Sequence, residues 1–472
     1  MPDQSSRGAE SINKVPLLIV LISGAFVAIL NQTLLGTALP HIMADLHIGE
    51  NTVQWLQSAF MLVNGIMIPI TAFLIGKFST RTLFLTAMSL FTVGTLLAAI
   101  APTFSILLLG RIFQAAGAGI LMPFTQTIMM LIFPIEKRGT VMGMFGLIIA
   151  FAPAIGPSLS GYIVENATWR TLFYMILPIA IINIIIAYFI LRNITELSNP
   201  KVDVLSIILS TFGFGGFLYG FSIAGNAGWG SMQVIISFIV GAIALTWFIL
   251  RQLRLKEPIL EMRVFKYKMF TLTTVLGMVT FMAMIGAAVI LPLYMQNMHG
   301  FTALESGLAL LPGAILQGIM NPITGRIFDK FGARWLLIPG LVLITVTTFM
   351  LAFLTDQTTF TYIATVHAFR MLGIAMVMMP ATTAGLNVLP MHLIPHGTAV
   401  NNTFRQVSGA IGTALPITIM TTAAVPEEGV NGLIHGVNVS FMISGIFAVI
   451  GLIIAFFVRD KVKGEKAMIK SR

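Results

Sequence analysis

The stretch GRIFDKFGARWLL, from Gly325 to Leu337, aligns without a gap on AFLIGKFSTRTLF, from Ala72 to Phe84. The two share Lys77/Lys330, Phe78/Phe331, Arg81/Arg334 and Leu83/Leu336. Each is a short basic loop between two long apolar runs, and each follows the second such run of its half of the chain. Two runs later Arg111 and Arg370 recur, each followed by small residues and then by a proline, Pro123 or Pro380. A parallel duplication of a six-helix unit accounts for this pattern. The copies begin 253 residues apart, more than half of the 472-residue length. The surplus is an extra pair of apolar runs between the halves.

Along the whole chain, fourteen apolar runs come near or exceed the roughly 20 residues that a membrane-crossing helix needs. They fall at 16–37, 51–75, 82–101, 104–126, 140–163, 171–191, 203–224, 231–250, 270–295, 303–324, 335–354, 359–381, 396–420 and 437–457. Of all residues 57% are hydrophobic and only 9% charged, and the mean hydropathy is +0.94. Water is not the main solvent for such a surface. An all-α polytopic membrane protein is expected, divided as a terminus at 1–15, a six-helix bundle at 16–191, a linker with two extra helices at 192–268, a second bundle at 269–457 and a basic tail at 458–472.

An even number of spans puts both termini on one side. Lys and Arg gather on the cytoplasmic side of membranes, and an inside N-terminus assigns 23 of the 27 to cytoplasmic segments. Arg170 alone falls outside, and Arg111, Arg370 and Arg405 fall within spans. The positive-inside distribution also accounts for the net charge of +10, so nucleic acid is not an expected partner. The tail from Arg459 to Arg472 is suited to anionic lipid. With no cysteine, disulfides and thiolate metal sites are excluded, and no metal or cofactor is expected. The first 15 residues lack a net positive n-region and an A-x-A-like cleavage site, so the first span reads as a retained helix. No P-loop, dinucleotide fingerprint or HExxH motif is present, which argues against an enzyme and against an ATP-driven pump.

GRIFDKFGAR after a second-position span, GRIFQAAGAG opening the fourth and AIGPSLSG in the fifth resemble the major facilitator superfamily. With LNQTLLGTALP (Leu30 to Pro40), WRTLF (Trp169 to Phe173), EPILEMRVF (Glu257 to Phe265) and NNTFRQVSGAIG (Asn401 to Gly412), the chain looks like the fourteen-helix drug:proton antiporters, including lincomycin-resistance proteins. The resemblance covers nearly the whole chain. It implies two six-helix bundles plus two extra helices, and export of amphiphilic drugs in exchange for protons, by a monomer in the bacterial plasma membrane.

The resemblance also assigns roles. Asp329, with Lys330 and Arg334, would latch a helix of the opposite half, at the start of span five beside Arg138. The first-half copy has Gly76 at the acidic position, so a matching latch there would be weak. In span five, Pro153, Gly156, Pro157 and Gly161 resemble the antiporter motif that closes the path against proton leak. Small residues there let a neighbouring backbone approach, and tight packing without coupling would use the same residues.

Ionisable groups at membrane depth normally face a cavity or a partner. At about 1.5 Å per residue, Arg370 and Arg405 lie near the midplane and Arg111 about 10 Å below the outer face. No acidic residue lies as deep, and the first-helix position where the family usually has Asp is Asn31. The substrate cavity is therefore expected to be net positive, lined by Asn31, Arg111, Gln114, Met282, Tyr294, Arg370 and Arg405. The alternative is that each Arg is satisfied by carbonyls and amides such as Gln114 or Gln406. Candidate proton carriers are His367, three residues before Arg370 on the same face, and Glu165 or Glu305 at the outer mouth. Two other functions stay open: an exporter or flippase for an endogenous anionic metabolite or lipid, and a sensor that binds a ligand without moving it.

Overall fold

The computed structural model describes residues 14–459 except 196 and 199. The first residues and most of the basic tail that was assigned to anionic lipid lie outside that range. Fourteen long helices account for the architecture, and no strand occurs among the described residues. In the first half they are α1 Lys14–Leu46, α2 Trp55–Lys77, α3 Thr80–Ala99, α4 Phe104–Ile132, α5 Arg138–Asn166 and α6 Thr171–Ile190. The extra pair is α7 Val204–Ala227 and α8 Met232–Arg254. The second half has α9 Lys268–Asn297, α10 Ala303–Phe331, α11 Arg334–Met350, α12 Phe360–Asn387, α13 Ile394–Ala423 and α14 Val430–Phe456.

Backbone polar groups cannot be left open in hydrocarbon, so every crossing segment becomes a helix that satisfies its own amides. The starts are set by side-chain oxygens that accept from first-turn N–H groups: Ser79 for α3, Asp203 for α7, Ser231 for α8, Thr302 for α10 and Thr359 for α12. Several helices outrun their apolar cores. The first continues nine residues past 37, α12 continues to Asn387 and α14 begins at Val430, because a helix end in water or against protein need not be apolar.

Thirteen helical segments are long and apolar enough to cross a membrane on composition alone. The remaining helix of the fourteen expected is α13, which is long enough but less apolar. It carries buried Thr398, Asn401, Asn402, Thr403 and Ser408 and packs on α2, α4, α7, α9 and α14. Its polar atoms face protein rather than lipid.

Helix pairing repeats between the halves. In the first, α1 packs on α5, α2 on α4, α3 on α4 and α3 on α6; in the second, α9 packs on α13, α10 on α12, α11 on α12 and α11 on α14. Each partner is displaced by eight helices, as a duplication interrupted by two extra helices requires. Glycines permit the close pairs: a Cβ on Gly94 would lie 2.5 Å from the Gly110 carbonyl oxygen, and one on Gly340 3.0 Å from that of Gly373. The halves meet along α5 with α10 and α2 with α13. Helix α7 packs on both α2 and α13, while α8 lies outside it against α7.

Candidate functional site

Gly139 and Thr140 stand in the first turn of α5, where backbone N–H groups have no intrahelical acceptor. Asp329, near the end of α10, fills that role from the opposite half. Its Oδ1 accepts from Gly139 N at 2.7 Å, and its Oδ2 accepts from Thr140 N at 2.8 Å and Thr140 Oγ1 at 2.6 Å. A carboxylate at a helix N-terminus is favoured by the dipole and makes the stronger, charge-assisted kind of hydrogen bond. The backbones must nearly touch for this to happen. A Cβ on Gly139 would lie 2.5 Å from Asp329 Oδ1 and 2.6 Å from the Gly325 carbonyl oxygen.

Arg138 does not pair with Asp329. It turns toward α12, donating from Nη1 to Asn387 Oδ1 at 3.0 Å and from Nε to the Phe133 carbonyl at 3.1 Å. Deeper on the same side of the midplane, Asn402 of α13 in the second half donates to Gln126 Oε1 of α4 in the first at 2.5 Å. Lys330 lies over the Phe331 ring at 5.1 Å, and Arg334 opens α11. In the first-half copy, the Gly76 carbonyl accepts from Ser198 N at 3.0 Å, so a linker segment takes the place that a carboxylate has at Asp329.

Toward the opposite end the halves part. Between α2 and α13 a cleft of about 260 Å³ opens, lined on those helices by Gln57, Ser58, Met61, Ala410, Thr413 and Ile417, and on its third side by α7. Along the α5–α10 seam, Phe151 still covers Gly318, but beyond it Ile155 and Tyr162 are exposed.

The embedded cations differ sharply. Arg111 is 1% exposed and donates from Nη1 to Gln114 Oε1 at 2.9 Å and from Nε to the Leu56 carbonyl at 3.3 Å. Its guanidinium also lies 4.2 Å from the Phe60 ring centre. Gln114 Nε2 goes on to Thr95 Oγ1 at 2.9 Å and Asn31 Oδ1 at 3.4 Å. Arg370, also 1% exposed, donates to Thr348 Oγ1 at 3.1 Å and the Ala283 carbonyl at 2.7 Å. Its Nη1 and the Nδ1 of buried His367 have no partner among the described residues. Arg405 is only partly buried; among the described residues it makes no hydrogen bond or ion pair, and its guanidinium lies 5.5 Å from the Phe281 ring of α9. A single loosely held cation, rather than three, is thus available at membrane depth.

A family model described as Major Facilitator Superfamily matches residues 21–413. The chain belongs to the Major Facilitator Superfamily. As a major facilitator it is a transporter for small molecules and a multi-pass membrane protein. It is 55% identical over 94% of its length to an uncharacterized MFS-type transporter of Bacillus subtilis, YcnB, covering 95% of that protein. It is 44% identical over 97% to the lincomycin resistance protein LmrB of Listeria monocytogenes, covering 99% of it. In fold it superposes on the crystal structure of the human organic anion transporter MFSD10 with a TM-score of 0.69, at 10% identity, covering 94% of this chain and 99% of the other.

Within this major facilitator, several residues expected around a cavity stand elsewhere. Asn31, Arg111 and Gln114 form one buried polar cluster inside the first half. Tyr294 is fully buried in an apolar cluster and donates to the Thr355 carbonyl at 2.5 Å, because a buried phenol needs a partner. Met282 lines a crevice with Pro416 and Ile419. Glu305 closes a capping box with Thr302, accepting from its N at 2.8 Å, and Glu165 is exposed near the end of α5. Gly156 packs under Thr33 of α1, whereas a Cβ on Gly161 would meet nothing within 4 Å, so Gly161 permits no close approach. Pro153 and Pro157 are exposed.

Three ties were missed from the sequence. Asp45 accepts from Trp169 Nε1 at 3.0 Å and Arg170 Nη1 at 2.7 Å, closing the end of α1 on the α5–α6 loop. The Arg138–Asn387 and Gln126–Asn402 pairs are polar residues at helix ends or in apolar runs, and nothing in their spacing distinguishes them from other amides.

Proposed function

We propose that this chain exports amphiphilic small molecules, drugs among them, by alternating access in exchange for protons. One observation carries it: the halves are joined through Asp329 at one end while α2 and α13 diverge at the other, which is one of the two states of a rocking transporter. The name of its Listeria relative supports a drug as substrate. The distribution of Lys and Arg supports the Asp329 end, and both termini, as cytoplasmic in a bacterial plasma membrane; the state is then outward-open. The bundles are taken as 16–191 and 269–457, with 192–268 as linker and extra helices, and the working unit as a monomer.

Arg405 is the residue in this scheme that meets substrate charge, while Arg111 and Arg370 fix the bundles internally. His367 is the proton carrier that the arrangement favours, since its ring lies at membrane depth with its Nε2 edge against Gly313 of α10 and its Nδ1 has no partner among the described residues. Purified protein in liposomes under a pH gradient tests all of this, with a labelled anionic and a labelled cationic amphiphile followed in parallel. Gradient-dependent accumulation that His367→Gln abolishes is the expected result; gradient-independent equilibration would remove antiport. Arg405 also favours a second reading, a flippase or exporter for an endogenous anionic lipid or metabolite. A narrow substrate range that Arg405→Gln abolishes for anions alone would select it.

A further inference from the structure

Helix α7 has no counterpart in the duplicated units, yet it does more than pack beside them. Its Leu218 lies so close over Gly65 of α2 that a Cβ there would overlap it. Nearer the open end, Ser222 Oγ lies 3.3 Å from Ser58 Oγ, and Trp229 Nε1, just past α7, donates to Thr418 Oγ1 of α13 at 2.6 Å. The extra pair is therefore a wedge tied to both halves, and α7 walls the cleft that opens where they diverge.

The walls of that cleft are chemically ordered. Chain direction puts Gln54, Gln57, Ser58 and Ser222 toward the open end and Met61, Leu62, Leu218 and Ala410 toward the floor. Trp55 and Tyr219 stack at 6.0 Å with 26° between their planes, giving one flat side. Among the described residues, no carboxylate, ammonium, guanidinium or imidazole lines the space. An ion entering it would lose water without gaining a counter-charge, whereas hydroxyls and amides find both donors and acceptors. The volume of about 260 Å³ is close to the roughly 300 Å³ at which small-molecule pockets begin.

We propose that the cleft between α2, α7 and α13 binds an uncharged amphiphile, its hydroxyl- or amide-bearing head at the rim and its apolar body on the floor. This makes α7 a specificity wall, separate from the Arg405 region, for molecules arriving at or leaving the outer half of the path. It rests on the export reading for the direction of that traffic and not for the binding itself.

Because the chain has no cysteine, Ser222→Cys introduces a single reporter thiol on the wall. Its reaction with a membrane-impermeant maleimide is followed in phosphatidylcholine nanodiscs with octyl glucoside, octyl sulfate or octyltrimethylammonium at equal submicellar concentration. The glucoside is expected to slow labelling about threefold at twice its dissociation constant, and the two ions to leave it unchanged. Equal protection by all three, which reports partitioning alone, or protection by none would overturn the proposal. Nanodiscs doped with a glucosyl diacylglycerol distinguish a lipid head from a free amphiphile as the source. Adding Ala410→Trp, which fills the floor, should abolish protection, and Thr413→Cys serves as reporter should Ser222→Cys fold poorly. Gradient-driven flux by the unaltered chain is measured alongside. Flux without protection sinks the cleft alone, and protection without flux sinks export while leaving the cleft.

Discussion

Asp329 joins two helices that share no covalent connection nearer than the whole middle of the chain. Its bonds to Gly139 and Thr140 are charge-assisted, a class that contributes about 1.5–3 kcal/mol each. Asp329→Asn keeps the shape but removes the charge and gives Gly139 N or Thr140 N an amide donor to face. Transport by this variant is expected to fall at least about tenfold, for which a loss of about 1.4 kcal/mol in the closed seam suffices; vesicle flux checks it, with Asp329→Glu equally poor because the seam has no room. Gly139→Ala should act the same way by geometry alone, since the added methyl falls 2.5 Å from the carboxylate and 2.6 Å from the Gly325 carbonyl. Arg111 is a different case, because its partners lie in its own half. Arg111→Met leaves the Leu56 carbonyl and Gln114 Oε1 without their donor, about 1–3 kcal/mol for each buried group orphaned. A lower melting temperature in detergent is expected from it, with a smaller change for Arg405→Met, whose guanidinium gives up only a ring contact.

At the scale of the helix, hydropathy made most of the fold legible, and the repeat of GRIFDKFGAR divided it into halves. Apolar runs mark where a helix meets lipid, so α13, packed among other helices, shows more weakly on that measure, though its run at 396–420 was still legible. Span ends were blurred for the same reason: Asp45, on the last turn of α1, lies past the apolar core and gave no sign of its bond to Arg170. The Asp329 contact was readable through the resemblance, which assigned that carboxylate to the start of span five. The fate of the embedded arginines was not, since sequence places charges at a depth without saying which neighbours accept from them. The α7–α8 hairpin has its own ionic fastening. Arg251 donates to Asp203 at 2.8 and 3.0 Å, and this guanidinium holds the carboxyl below the usual range against the opposing effect of burial, with Ser206 adding to it. A depressed folded-state pKa gives stability that is complete above the ordinary carboxylate value of about 3.9 and is lost as pH falls through the folded value. Arg251→Gln should thus lower the melting temperature near neutral pH, and the gap from the unaltered protein should narrow as pH falls below the ordinary carboxylate value of about 3.9.

The whole molecule carries its connections asymmetrically. Hydrogen bonds of Asp329, Arg138 and Asn402 join the first half to the second, all on the same side of the midplane. On the other side the halves are bridged through the α7 wedge. Rocking to the opposite state must break the first set, several kcal/mol of interaction at about 0.5–3 kcal/mol per bond, so something that binds the two states differently has to supply the bias. Substrate and proton are the candidates that a transporter offers. The equilibrium is open to direct measurement with two single-thiol reporters, Ser222→Cys in the open cleft and Asn321→Cys in the seam, where Asn321 is 2% exposed under Gly143. In the resting protein the cleft thiol should react quickly and the seam thiol slowly. Adding Asp329→Asn should raise the seam rate and lower the cleft rate together, since both ends report one rigid rotation. If the seam thiol gains reactivity while the cleft thiol keeps its own, the ends move independently, and two rigid bundles rocking about a central site cannot describe this chain.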